Sequence, residues 1–153
     1  MYGEPSIVYR VGETEYGAYP TREWAIPLGQ MLGVLTEDVL RRAPLTTGAA
    51  IFNPPSLRGQ GYVWRGTVRE FEEVNRGRAL SAAVRVDAAI LRTGDDSVLW
   101  TGSVRRESAV AEPTMNAVVR TLSALAATVV AELAAEADSA LRTRSAASAR
   151  GRE

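Results

Sequence analysis

The chain has 153 residues, 46% of them apolar and 24% charged, a size and balance that fit one globular domain with its own core. Its 18 basic residues, all arginine, are matched by 18 acidic ones, so no bulk charge draws it to nucleic acid or to an anionic membrane. The absence of His and Cys removes imidazole bases, thiolate nucleophiles, disulfides and the common zinc ligands.

Ile7, Val8, Tyr9, Arg10 and Val11 make a β-rich run closed by Gly12, and residues 15–19 make a partner strand closed by Pro20. Trp24, Leu28, Met31, Leu32, Leu35 and Val39 then recur at spacings of three and four, which predicts an amphipathic helix. Pro27 suits its first turn, Arg41 and Arg42 complement the dipole at its last turn, and Pro44 stops it. Residues 49–52 predict a short strand. Asn53-Pro54-Pro55-Ser56, with Gly59 and Gly61, predicts a semi-rigid loop.

From Tyr62 the period becomes two. Tyr62, Trp64, Gly66 and Val68 alternate with Val63, Arg65, Thr67 and Arg69. After a turn at Asn75-Arg76-Gly77, Leu80, Ala82, Val84, Val86, Ala88 and Ile90 alternate with Ser81, Ala83, Arg85, Asp87 and Ala89. After Gly94-Asp95-Asp96-Ser97, Val98, Trp100, Gly102 and Val104 alternate with Leu99, Thr101, Ser103 and Arg105. This is an antiparallel meander with one buried and one wetter face.

Glu112-Pro113-Thr114 opens a last helix. Its stripe is Met115, Val118, Val119, Leu122, Leu125, Ala126, Val129 and Leu133. Arg120 and Glu132 interrupt residues 118–135, which read as amphipathic and not as a membrane span. Beyond Asp138 the Ser, Ala and Arg composition predicts a disordered tail over 139–153. The sum is an α+β fold: a two-layer sandwich, a mostly antiparallel sheet with two long helices on one face, as a single domain over 1–138.

The N-terminal motifs carry more than fold. Ile7-Val8-Tyr9-Arg10, then Glu13-Thr14-Glu15-Tyr16, then Arg22-Glu23-Trp24-Ala25-Ile26-Pro27-Leu28 resembles the ABC-type transport auxiliary lipoproteins. That family typically has Arg directly before Trp; here Glu23 intervenes between Arg22 and Trp24. The resemblance spans residues 7–137 and rests on Tyr9, Arg10, Arg22, Trp24, Pro27 and Leu28, all of them structural positions. It implies a non-catalytic periplasmic subunit that partners an MCE-family (mammalian cell entry) protein of an ABC-type lipid transport system and docks the assembly at the outer membrane. It permits a homo-oligomer. It also implies a precursor with a signal peptide, a lipobox cysteine and a further strand, none of which is in this sequence; the membrane would be reached only through that anchor.

Arg65, Arg69, Arg85 and Arg105 share the wetter face of the meander and could meet lipid phosphate or an acidic partner. The plainer alternative is a solvated face on which Arg65 and Asp87 neutralise each other. Nucleic acid is not an expected partner, because Tyr62, Trp64 and Trp100 lie in the buried phase and leave no stacking platform. In that phase Gly66 and Gly102 allow close packing, or else open a groove for an acyl chain. A groove would make the protein a carrier of lipid or a small amphiphile instead. Glu72-Glu73 and Asp95-Asp96 read as solvated pairs at hairpin ends. No catalytic, cofactor or metal site is expected.

Overall fold

The period-two segments in the middle of the chain fold into three long strands, on which everything else is arranged. The computed structural model describes residues 5–42, 51–52 and 61–150. In chain order the elements are β1 (Ser6–Val11), β2 (Glu15–Glu23), α1 (Leu28–Arg42), β3 (Ile51–Phe52), β4 (Tyr62–Arg76), β5 (Ala79–Arg92), β6 (Val98–Ala109) and α2 (Met115–Arg150). One six-stranded sheet has the order β2-β1-β4-β5-β6, with β3 beside the start of β4. β4, β5 and β6 are the expected antiparallel meander. β1 pairs parallel with the far end of β4, Val8 facing Glu72 and Val11 facing Asn75. The sheet is thus mostly antiparallel, with both helices against one face.

That face is built in rows across the strands. Trp64, Ile90 and Trp100 form one row; Gly66, Ala88 and Gly102 form the next; Val68, Val86 and Val104 a third. α2 covers them with Val118, Leu122, Leu125, Val129 and Leu133. Each of these side chains, fully buried, contributes about 1.5–3 kcal/mol. α2 runs back along β6, tied by Arg106 to Glu132 and by Arg144, whose Nη1 donates to the Leu99 carbonyl at 2.7 Å. By length and hydropathy residues Met115–Arg144 could cross a membrane. In this fold the apolar stripe lies against the sheet. Thr114 caps α2, its Oγ1 accepting from Ala117 N at 3.3 Å. Pro27 immediately precedes α1, and its carbonyl accepts from Gln30 N at 2.9 Å.

Three expectations are corrected. β2 does not end at Pro20 but runs to Glu23. Its register against β1 jumps between Ala18 and Glu23, so Pro20 sits in an irregularity of an edge strand, where a missing N–H costs no ladder bond. β4 continues past Arg69 to Arg76, which places Glu72 and Glu73 inside a strand and buried. The residues expected as a tail are helical to Arg150, with Leu141 buried. Ala and Arg are strong helix formers, and Leu133, Ala137 and Leu141 prolong the apolar stripe by steps of four. The predicted strand at 49–52 is seen as β3; Pro44, residues 49–50 and the loop from Asn53 to Gly59 lie outside the described residues.

Candidate partner-binding surface

The face of the sheet opposite the helices is a mosaic of charges. Between Val68 and Glu70 the register of β4 slips, and Arg69 is the inserted residue. The bulge tips Arg69 onto Asp87, with Nε 2.6 Å from Oδ2. Arg85 lies 3.7 Å from the other oxygen of Asp87 and donates to Ser103 Oγ at 3.3 Å. Arg105 bridges Glu70 at 2.8 Å and Glu107 at 2.9 Å, and Arg76 pairs with Glu107 as well. The hydrogen bond from Arg76 holds the Glu107 carboxyl down at about 2 against the opposing pull of burial, with help from Ser81 and Arg105. Asp87 is also held below its ordinary value, by Ser103 first and Arg69 second.

The four arginines expected on this face are all there, but three have carboxylate partners. Asp87 is neutralised by Arg69 and Arg85, not by Arg65 as the simple alternation implied. Among the described residues Arg65 has no carboxylate within ion-pair distance. It stands exposed in the row of Ala89 and Thr101.

Where β1 joins, the same face becomes buried. Arg10 Nε donates to Glu72 Oε1 at 2.7 Å, and the guanidinium lies 5.9 Å from the ring centroid of Tyr16. On the helix side of β4 the neighbouring Glu73 accepts from the Tyr19 hydroxyl at 3.1 and 3.0 Å and from Asn75 Nδ2 at 3.1 Å. Burial, then the bond to Glu73, pushes the Tyr19 phenol up to about 12. Among the described residues no buried side-chain nitrogen or oxygen lacks a hydrogen-bond partner. Glu72 and Glu73 were missed as buried groups because their partners come from β1 and β2, far off in sequence.

Of the motif residues, Tyr9 and Trp24 pack by their rings in this region. The ring of Tyr9 meets Tyr19 at a tilt of 58° with centroids 5.0 Å apart and lies over Gly17, where a Cβ would collide with it. Trp24 meets Phe71 edge-on at 5.5 Å, and its amide donates to the Pro5 carbonyl at 2.7 Å. Leu28 is buried as the first residue of α1, and Arg22 is exposed on β2.

Between α1 and the sheet lies a crevice of about 120 Å³, lined among others by Gly29, Leu32, Gly33, Trp64, Gly66 and Val68. Gly66 opens onto it, as the groove reading required. Gly102 does not: the ring of Trp100 occupies the space its side chain would need. Small-molecule pockets usually enclose about 300–1,000 Å³, so the crevice is well short of a carrier's cavity.

The family model described as the ABC-type transport auxiliary lipoprotein component matches residues 3–134. The chain belongs to this family. A lipoprotein component of an ABC-type transporter works at the cell envelope, as an auxiliary to the transport machinery. Two solved structures share the fold of this auxiliary lipoprotein chain. A Xanthomonas campestris protein is 24% identical, with a TM-score of 0.74 over 94% of this chain and 80% of its own. An uncharacterized protein is 19% identical, with a TM-score of 0.70 over 88% of this chain and 82% of its own. None of the curated proteins compared matches the sequence.

Proposed function

We propose that this auxiliary lipoprotein chain is a non-catalytic periplasmic subunit that docks an MCE-type ABC lipid transport assembly at the outer membrane, tethered by a lipid anchor carried on its precursor. The observation that carries the reading is the family match, taken with the way the polar groups are used. The described buried polar side chains are spent on one another, in pairs such as Arg10–Glu72 and Tyr19–Glu73, and none stands poised over a cleft. What remains for function is surface: strand edges, the exposed Arg65 and the outer side of α1, where Val34 is exposed.

The test is co-expression of the precursor with an MCE-family protein from the same genome, followed by membrane fractionation and size-exclusion chromatography. A co-eluting complex in the outer-membrane fraction is expected, with no stoichiometric lipid on the purified chain by mass spectrometry. A chain that carries one lipid per molecule and forms no such complex is a carrier, and the docking reading fails.

A further inference from the structure

The charges on the sheet face away from the helices are sorted along the strands. At the β1 end, Arg10 pairs with Glu13 and Glu72, and Arg76 pairs with Glu13 and Glu107, so carboxylates outnumber arginines there. Toward the turn between β5 and β6 the balance reverses. Arg69 and Arg85 share the single carboxylate of Asp87, and Arg105 holds Glu70. Arg65 adds a further cation, exposed in the row of Ala89 and Thr101. Residues 43–61, which lead into β4, contain no Asp or Glu to neutralise it.

Height separates the two signs as well. The side chains of Arg69 and Arg85 are 57% and 45% exposed, while those of Asp87 and Glu70 are 30% and 21% exposed. The carboxylates are recessed counter-ions, and the guanidinium groups form the outer layer. Both oxygens of Asp87 are taken, Oδ2 by Arg69 at 2.6 Å and Oδ1 by the Ser103 hydroxyl at 2.7 Å. Thr67, Thr101 and Ser103, all exposed, set further hydroxyl donors among the arginines.

We propose that this face, from the row of Arg65 to the row of Arg85 and Arg105, docks a folded protein partner through an acidic patch on that partner. The two rows lie four residues apart along β5, which makes the cationic strip about 13 Å long. A strip of that length suits several carboxylates held on a rigid surface, each met by an outward guanidinium. A single phosphate is a poorer fit, because the point on which Arg69 and Arg85 converge is already filled by Asp87. A bilayer is poorer still, since the hydroxyls between the arginines give a lipid surface nothing apolar to take in. The identity of the partner as a transport component rests on the docking function proposed above; the charge pattern does not.

The probe is a blocked alanine-rich helical peptide with three Glu at spacings of four, which span about 12 Å. In low salt, millimolar peptide shifts the Nε–H signals of Arg65, Arg69 and Arg85 in NMR spectra of the whole chain, and added salt abolishes the shifts. The same peptide with Gln in place of Glu moves nothing. Arg65→Glu weakens binding about tenfold. Arg120→Glu, an equal change of net charge on the exposed side of α2, leaves it unchanged. Asp87→Asn removes the recessed counter-ion and tightens binding about threefold. Circular dichroism verifies that each variant is folded. The proposal is overturned if the two charge reversals weaken binding equally, if Asp87→Asn weakens it, or if the peptide leaves the arginine signals unmoved. It is overturned equally if phosphatidylglycerol vesicles or inorganic phosphate move those signals and the peptide does not. Failure here with an intact MCE complex removes this surface and leaves docking standing. Peptide binding without that complex does the reverse.

Discussion

Arg10 on β1 holds Glu72 on β4 across 2.7 Å, with 7% of the arginine side chain and none of the glutamate exposed. Burial alone would lower the pKa of Arg10, but the hydrogen bond and charge of Glu72 outweigh it and raise it, so the guanidinium stays charged. The pair joins the N-terminal hairpin to the meander through side chains as well as through the parallel β1–β4 ladder. It explains the Arg of the N-terminal motif as a structural residue.

A buried ion pair is nearly neutral for stability as a pair and costly when halved, since the remaining charge is stranded without water. Arg10→Met is therefore expected to cost about 3–5 kcal/mol, and the double variant Arg10→Met, Glu72→Met to recover most of it. Urea unfolding of the four proteins of this cycle measures both. A single variant within 1 kcal/mol of the parent, on the order of a surface pair, would show that water reaches the site.

Acid should act first through Glu107. Its folded pKa, about 2, lies below the ordinary 4.5, because Arg76, Ser81 and Arg105 together outweigh burial. The unfolded chain then takes up the proton first as the pH falls. The stabilisation is complete above about 4.5 and is lost on the way down toward about 2. Its ceiling is about 3 kcal/mol, lower in salt since the arginine partners are partly exposed. Glu107→Gln should flatten this part of the acid limb in pH-dependent unfolding, leaving the smaller slope from Asp87. An unchanged slope would mean that the pairing does not persist in solution.

Much of the architecture was legible because it is periodic: the meander, the two helices and the face each buries follow from spacings in the sequence. The candidate surface was legible only in part. The alternation starting at Tyr62 brings Arg65, Arg85 and Arg105 together, but nothing local marks Arg69 as a bulge, and the bulge decides which arginine neutralises Asp87. Glu72-Glu73 has the composition of a turn. It is buried because Arg10 and Tyr19, 62 and 54 residues away, satisfy it. Long-range pairing of this kind leaves no trace in spacing, and the parallel β1–β4 ladder was hidden for the same reason.

The two glycines of the buried phase separate cleanly. At Gly102 a new Cβ would collide with the ring of Trp100, which packs at a tilt against Trp64 with centroids 5.7 Å apart. Gly102→Ala must displace that ring and should cost about 1–3 kcal/mol, with loss of tryptophan signal in the near-UV circular dichroism spectrum. At Gly66 the same change fits, and the reduced freedom of the unfolded chain should make Gly66→Ala neutral or stabilising by up to about 1 kcal/mol. Equal costs at the two sites would contradict the packing described for Trp100.

The last turns of α2 offer the clearest choice between helix and tail. A disordered tail can be removed without effect. In the fold Leu141 is 8% exposed in the core stripe, Arg144 donates to the Leu99 carbonyl at 2.7 Å, and Arg142 pairs with Asp138. Leu141→Ala should cost about 2–3 kcal/mol by loss of buried surface and incomplete collapse around it. Truncation after Asp138 should cost at least as much, because it also leaves the start of β6 uncovered. Arg144→Ala should be milder, about 0.5–1.5 kcal/mol, as the bond it removes is exposed. Thermal unfolding of the three variants ranks them, and a truncated chain as stable as the parent would restore the tail.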